Sequence, residues 1–367
     1  MNIDQAAVDR AVAHALALCA IPSPSGMTAA AASYVEEALG ALGLSPERTR
    51  KGAVLCRLGG EGRPLVLAAH FDTLGAVVRS VKSNGRLRYS KIGGFPDLNL
   101  VGETCLVHCR DGRSYSGTFQ PVEASVHVNQ KLKELKPDED SVEILVDELV
   151  RTREETLALG IAPGDFVSID ARARLTPSGF LKSRHLDDKA ASGILLALAG
   201  LVAGKTGPAA GPADSGARPD AAGAGKAAPL RPGRSVSLLF TAHEEVGHGG
   251  APLPEGIEEF VSVDMGAVGE DLSCDERMVS ICAKDSRGPY DFEVTTALVE
   301  AAKRAGCSYA VDVYPSYGSD ADAALAAGHD LRHGLVGPGV YASHGYERTH
   351  RDAMANTLAL LAEYLRA

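Results

Sequence analysis

The chain has 367 residues, 45% of them hydrophobic and 23% charged, and carries a formal net charge of −10. That length accommodates two domains and a sizeable core, in the composition range of a globular protein. The acid excess argues against a nucleic-acid or anionic-membrane partner, and no eighteen-residue apolar run is present to span a bilayer.

Residues 5–19 carry apolar side chains at helical spacing, Pro22 and Pro24 break the pattern, and Ser25-Gly26-Met27-Thr28 opens a second helix through about Leu42. Pro64-Leu65-Val66-Leu67-Ala68-Ala69 reads as a buried strand ending at His70-Phe71-Asp72. From about Thr73 to Ser178 short β-rich segments alternate with Asn84-Gly85, Gly93-Gly94 and Asp111-Gly112 turns, the texture of a small β domain set into an α/β one. Within it, 148–159 is a candidate helix and 166–169 a strand. The α/β pattern resumes at His185-Leu186-Asp187-Asp188-Lys189, where an apolar helix starts that runs to about Leu201. Residues 204–234 are almost wholly Gly, Ala and Pro with a few charges, a composition expected to form a flexible surface loop. Strand and helix alternate from there to a final helix over about 352–366.

The chemistry-bearing residues recur at strand ends, where open α/β sheets keep their sites. Glu244-Glu245 follows the apolar run 235–240 and precedes Gly247, Gly249 and Gly250. Two adjacent carboxylates there suit two tasks, one holding a metal and the other moving a proton. His70 and Asp72 lie two apart on a strand and so share a face, where a carboxylate fixes an imidazole for metal binding. Asp187 or Asp188 is suited either to cap the helix or to bridge two cations through its two oxygens. Asp264 follows the strand 261–263, and after Val340 the chain offers His344 or His350 as a late ligand. Imidazole and carboxylate donors without cysteine suit catalytic zinc, cobalt or manganese, with zinc the default.

Two tempting motifs are set aside. His243 and His248 resemble the paired histidines of single-zinc proteases but are five apart, which places them about 140° apart on a helix. Cys105, His108 and Cys109 lack a second cysteine pair at zinc spacing. Seven cysteines spread from Cys19 to Cys307 do not form a disulfide framework and suit a reducing cytoplasm. No basic segment leads into an apolar run at the start, so no secretory leader is expected.

Taken together, His70-x-Asp72, Leu186-Asp187-Asp188-Lys189, Glu244-Glu245, Asp264, His344 and the stretch Leu159-Gly160-Ile161-Ala162-Pro163-Gly164-Asp165-Phe166-Val167 resemble the dinuclear metallo-aminopeptidases of the glutamyl-aminopeptidase and tetrahedral-aminopeptidase type. The resemblance covers nearly the whole chain. It implies an α/β fold: a mixed-sheet, zinc-exopeptidase-like catalytic domain sandwiched by helices (1–73 and 179–367), with a β-rich dimerisation domain inserted at 74–178. It also implies two divalent ions per chain, with Asp187 bridging, His70 and Asp264 completing one site, and Glu245 and His344 the other. Glu244 becomes the general base and Asp72 the orienting partner of His70, while Gly318-Ser319-Asp320-Ala321 lines the substrate cleft. The implied activity is removal of N-terminal residues from peptides by a cytoplasmic homo-oligomer, from a dimer up to a dodecamer. Departures are the context of His344, which is followed by Gly345-Tyr346-Glu347-Arg348 where the family carries Ser-Pro, and the length of the 204–234 loop. The alternatives are a deacylase or hydrolase of a small blocked dipeptide using the same site, and a non-catalytic oligomeric binding protein.

Overall fold

The computed structural model describes residues 4–205 and 228–366, so most of the expected 204–234 loop lies outside the described residues. The first helix, Gln5–Cys19, starts where the Asp4 carboxylate accepts from the Ala6 N–H at 3.2 Å. Its buried stripe of Ala7, Ala11, Ala15 and Leu18 packs on the helix Leu186–Val202. Small residues on both sides let the two backbones approach closely. A Cβ at Gly193 would lie 2.5 Å from the Ala11 carbonyl oxygen.

The main sheet is mixed. Its strands run in the order Glu47–Arg48, Val54–Gly59, Ser235–Thr241, Pro64–His70, Glu259–Val263, Arg332–Val340, Val279–Lys284, Tyr309–Val313, with Gly266–Ala267 added beside Arg332–Val340. The four central strands are mutually parallel and carry near-continuous buried apolar runs, as strands covered on both faces require. One face packs against Gln5–Cys19, Leu186–Val202 and the helices Phe292–Ala305 and Arg351–Tyr364. The other is covered by a smaller cluster that includes the helix Asp320–Ala326.

Between Gly75 and Ile169 the chain closes a six-stranded barrel in the order Gly75–Val81, Leu87–Ile92, Val142–Val146, Ser114–Pro121, Thr104–His108, Phe166–Ile169. It has its own core around Val78, Tyr89, Val107, Phe119 and Ile144. The candidate helix over 148–159 shrinks to Arg153–Ala158, because Thr152 takes an extended backbone and its hydroxyl caps the Glu155 N–H. A further small sheet joins Arg174–Leu175 and Phe180–Ser183 to Glu347–His350. Among the described residues, no helix is long and apolar enough to cross a membrane.

Candidate metal centre and substrate cleft

Three neighbouring parallel strands deliver the site. Thr241 registers with His70, and Ser262 with Ala68, so the segments after Thr241, His70 and Val263 leave the sheet side by side. Glu244, Glu245, His70 and Asp264 thereby meet at one edge, although up to 194 positions separate them in sequence. Asp187 enters from the start of Leu186–Val202, where its backbone (ψ 103°) is not yet helical. Its Oδ1 lies 3.1 Å from His70 Nε2 and its Oδ2 lies 3.3 Å from His344 Nε2. Glu245 Oε2 is 3.7 Å from His344 Nε2, and Glu244 Oε2 is 3.7 Å from His70 Nε2. Ligand atoms of His70, Asp187 and Glu245, and again of His70, Asp188 and Asp264, lie within 4.8 Å of one another.

Buried hydrogen bonds hold these groups. The Asp72 carboxylate accepts from the N–H groups of Glu244 at 3.1 Å and Glu245 at 3.3 Å and from the Ser25 hydroxyl, so it builds the Glu-Glu turn. His70 Nδ1 lies 3.0 Å from the Asp72 carbonyl oxygen, closer than the 3.6 Å to the Asp72 carboxylate. Asp72 thus reaches His70 first through its backbone. Glu347, which sequence reasoning quoted without giving it a role, is buried and accepts from the N–H of Asp187 and of His344, each at 3.0 Å. His344 has a left-handed backbone (φ 62°), its Nδ1 lies 2.5 Å from the Gly94 carbonyl oxygen, and Asn99 Nδ2 donates to its carbonyl at 2.9 Å. No side-chain pattern signals Gly94, because it acts through its backbone.

His350 lies elsewhere. It caps the last helix by accepting from the Asp352 N–H at 3.1 Å, and its ring packs edge-on against Phe180. His243 and His248 stack on one another outside the ligand groups. His108 bridges the Ser114 and Ser168 hydroxyls, and Cys105 and Cys109 are buried barrel residues.

The electrostatics call for cations. Burial and neighbouring acids push the carboxyls of Asp188, Glu244 and Glu245 well above the usual carboxylate range, and Asp264 to about 7. Burial works against charge on His344, yet Asp187 and Glu245 carry it up to about 10. Asp188 Oδ1 and Glu245 Oε1 are buried with no hydrogen-bond partner, a state carboxylate oxygens tolerate poorly unless a cation answers them. Carboxylate and imidazole atoms with spare lone pairs, converging at this spacing, fit divalent metal.

The group opens into a cleft of about 830 Å³ whose far walls include Arg287, Tyr317, Gly318, Ser319, Asp322 and His333. Only the first half of Gly318-Ser319-Asp320-Ala321 faces this space. Asp320 is buried behind it, accepting from the Gly250 N–H at 2.6 Å and from the Thr241 hydroxyl. It therefore pins the glycine turn that follows the acid pair.

Known proteins resemble this chain along most of its length. The family model described as M42 glutamyl aminopeptidase matches residues 52–210 and 226–360. A putative aminopeptidase, YhfE of Bacillus subtilis, is 38% identical over 353 residues covering 95% of each chain. An aminopeptidase from Desulfurococcus kamchatkensis superposes with a TM-score of 0.81 at 18% identity, covering 98% of this chain and 95% of that one. The TET1 peptidase of Pyrococcus horikoshii, described as assembling into a tetrahedron or a large octahedral shell, has a TM-score of 0.76 at 18% identity over 94% and 96%. With the family pattern matched across most of its length and a relative of that identity along nearly all of it, the chain belongs to the M42 glutamyl aminopeptidase family and is a metal-dependent aminopeptidase.

Proposed function

We propose that this aminopeptidase works with two divalent ions, the first held by His70, Asp187 and Asp264 and the second by Asp187, Glu245 and His344. The observation that carries the reading is the placement of Asp187, one oxygen facing His70 and the other facing His344. Zinc suits the donor set best, with cobalt and manganese next. Bound divalent cations supply Lewis acidity, which makes water a nucleophile at neutral pH and polarises an amide carbonyl.

Glu244 is the residue we assign to proton transfer. It lines the cleft beside the ligand group, and burial among other acids raises its affinity for a proton. In the forward step Glu244 takes a proton from the attacking water, whose oxygen bonds to the scissile carbonyl carbon. As the C–N bond breaks, Glu244 returns that proton to the departing amine. The concentration of carboxylates also receives the positive α-amine of a peptide N-terminus, which favours exopeptidase action. That relatives carry the name aminopeptidase supports a peptide N-terminus, in place of an N-acylated small amide, as the substrate here.

The 74–178 insertion is assigned to dimerisation of a homo-oligomer. Val126, Val128 and Leu149 stand out of it, and Leu149 is fully exposed, leaving apolar surface for a second copy. Seven free cysteines fit a reducing cytoplasm. The test is metal analysis joined to an assay with aminoacyl anilides and N-acylated dipeptides. Two ions per chain and turnover of free-amine substrates are expected. A protein that neither takes up two ions nor acts with zinc, cobalt or manganese added would defeat the two-ion reading, and activity confined to acylated substrates would defeat the assigned substrate.

A further inference from the structure

The small sheet of Arg174–Leu175, Phe180–Ser183 and Glu347–His350 carries an unexplained charge pattern. Its antiparallel register sets Arg174 opposite Lys182 and Lys182 opposite Arg348. Directly opposed residues share a face with Cβ atoms about 4.5–5.5 Å apart, so three cations stand in one row. The alternate residues Leu181, Ser183, Glu347 and Thr349 are buried on the inner face, where Glu347 holds the metal-centre backbone. Arg172 adds a fourth cation beside the row. Its guanidinium lies 4.4 Å from the centre of the Tyr346 ring, with Lys182 Nζ at 5.1 Å from the same ring and Arg348 at 4.7 Å from the Phe180 ring.

Acids answer part of this charge: Glu103 pairs with Arg172 at 2.6 Å and Glu276 with Arg348 at 2.5 Å. Among the described residues, no acid lies within the 4.0 Å ion-pair distance of Arg174 or Lys182. Like charges set directly opposite one another destabilise a sheet. A chain with 47 acidic residues has ample means to avoid that arrangement, so folding alone does not account for it.

We propose that this outer face docks an acidic segment of a separate polypeptide. The segment's carboxylates would meet the row Arg174, Lys182 and Arg348, and its apolar side chains would meet Phe180 and Tyr346. Charge complementarity carries the choice of occupant. Substrate gripped in the cleft is a poorer fit, because none of Arg172, Arg174, Lys182 and Arg348 lines it. A nucleic acid is poorer still: the row crosses three strands, about 10 Å, and a net charge of −10 repels a phosphate backbone extending beyond it.

The test uses the full-length, metal-loaded enzyme and an N-acetylated decapeptide of Glu, Asp and Phe with a fluorophore at its C-terminus. Fluorescence anisotropy should show binding that weakens with salt and is absent for the matching Lys-rich peptide. The double variant Arg174→Ser/Lys182→Gln should bind about tenfold more weakly, the loss expected from two charge-assisted contacts. It should also keep wild-type turnover of an aminoacyl anilide and unfold no earlier than wild type, since it relieves like-charge crowding. The single variant Arg174→Ser, at an exposed site, gives the same direction if the double variant folds poorly. No binding to wild type, or equal binding to the variants, overturns the proposal. So does preferential binding of a single-stranded RNA oligonucleotide, or loss of the native oligomer in the variants, which would make the face a self-contact.

Discussion

Replacing Gly193 by alanine sets two effects of known size against each other. In a helix interior alanine is favoured over glycine by about 1 kcal/mol, so propensity alone forecasts a more stable protein. Position 193, however, faces the Gln5–Cys19 helix, and its new Cβ would lie 2.5 Å from the Ala11 carbonyl oxygen and 2.8 Å from the Ala15 nitrogen. Real Cβ contacts do not fall under 3.0 Å, so the helices must part by at least half an ångström or so. The obstruction is backbone on a packed helix and cannot swing aside as a side-chain tip would. Overpacking of this kind costs about 1–3 kcal/mol, so after the propensity gain we expect a net destabilisation of up to about 2 kcal/mol. Gly40 supplies the matched control. It too is helical, but nothing lies within 4 Å of its added Cβ, so Gly40→Ala should stabilise by about 0.5–1 kcal/mol. Denaturant midpoints of both variants in one buffer read the difference. Aminopeptidase activity should fall only for Gly193→Ala, because the displaced helix carries Asp187 at its start. If Gly193→Ala is stabilised as much as Gly40→Ala, the close backbone approach is wrong.

Further predictions concern the site and its surroundings. Glu244→Gln should lose turnover while metal content stays at two ions per chain; turnover near wild type would remove Glu244 as the base. Asp187→Asn should lose metal instead, and unchanged content by elemental analysis would reject bridging. Glu347→Gln turns an amide NH₂ toward an N–H of Asp187 or His344, so metal affinity should drop by about 10–100-fold in a chelator competition. His14 is buried, and burial together with the Arg10 charge lowers its pKa to about 4. Because the unfolded chain takes up this proton first, stability present above about pH 6.5 should decline as pH falls toward 4. Between pH 7.5 and 5 that loss is about 2 kcal/mol, and it should be missing from His14→Gln; parallel pH profiles for the two proteins would contradict the assignment.

Much of this protein is decided locally. Buried strands announce themselves as short apolar runs, and the acids and histidines stand where those runs meet glycine or a helix start, as His70, Glu244-Glu245 and Asp264 do. Such features depend on neighbours in sequence, so they are legible without coordinates. What separates His344 from His350 is not local: both follow the same strand, and only the left-handed turn at His344, held by Glu347 and by Gly94 and Asn99 before and within the barrel region's first 3-10 turn, aims one ring at Asp187. The part played by Asp72 was half visible for the same reason. Its place two residues after His70 is legible in the sequence, but the strand ends at His70, and its grip on the Glu244 and Glu245 N–H groups requires two parallel strands to lie side by side. Glu347 and Asp188 carry ordinary acidic side chains in sequence, and burial beside other charges is what sets them apart. Residue type and periodicity therefore determined which chemistry the chain carries and at which strand ends. Tertiary packing alone decided which oxygen faces which nitrogen, because those distances are set by contacts between segments far apart along the chain.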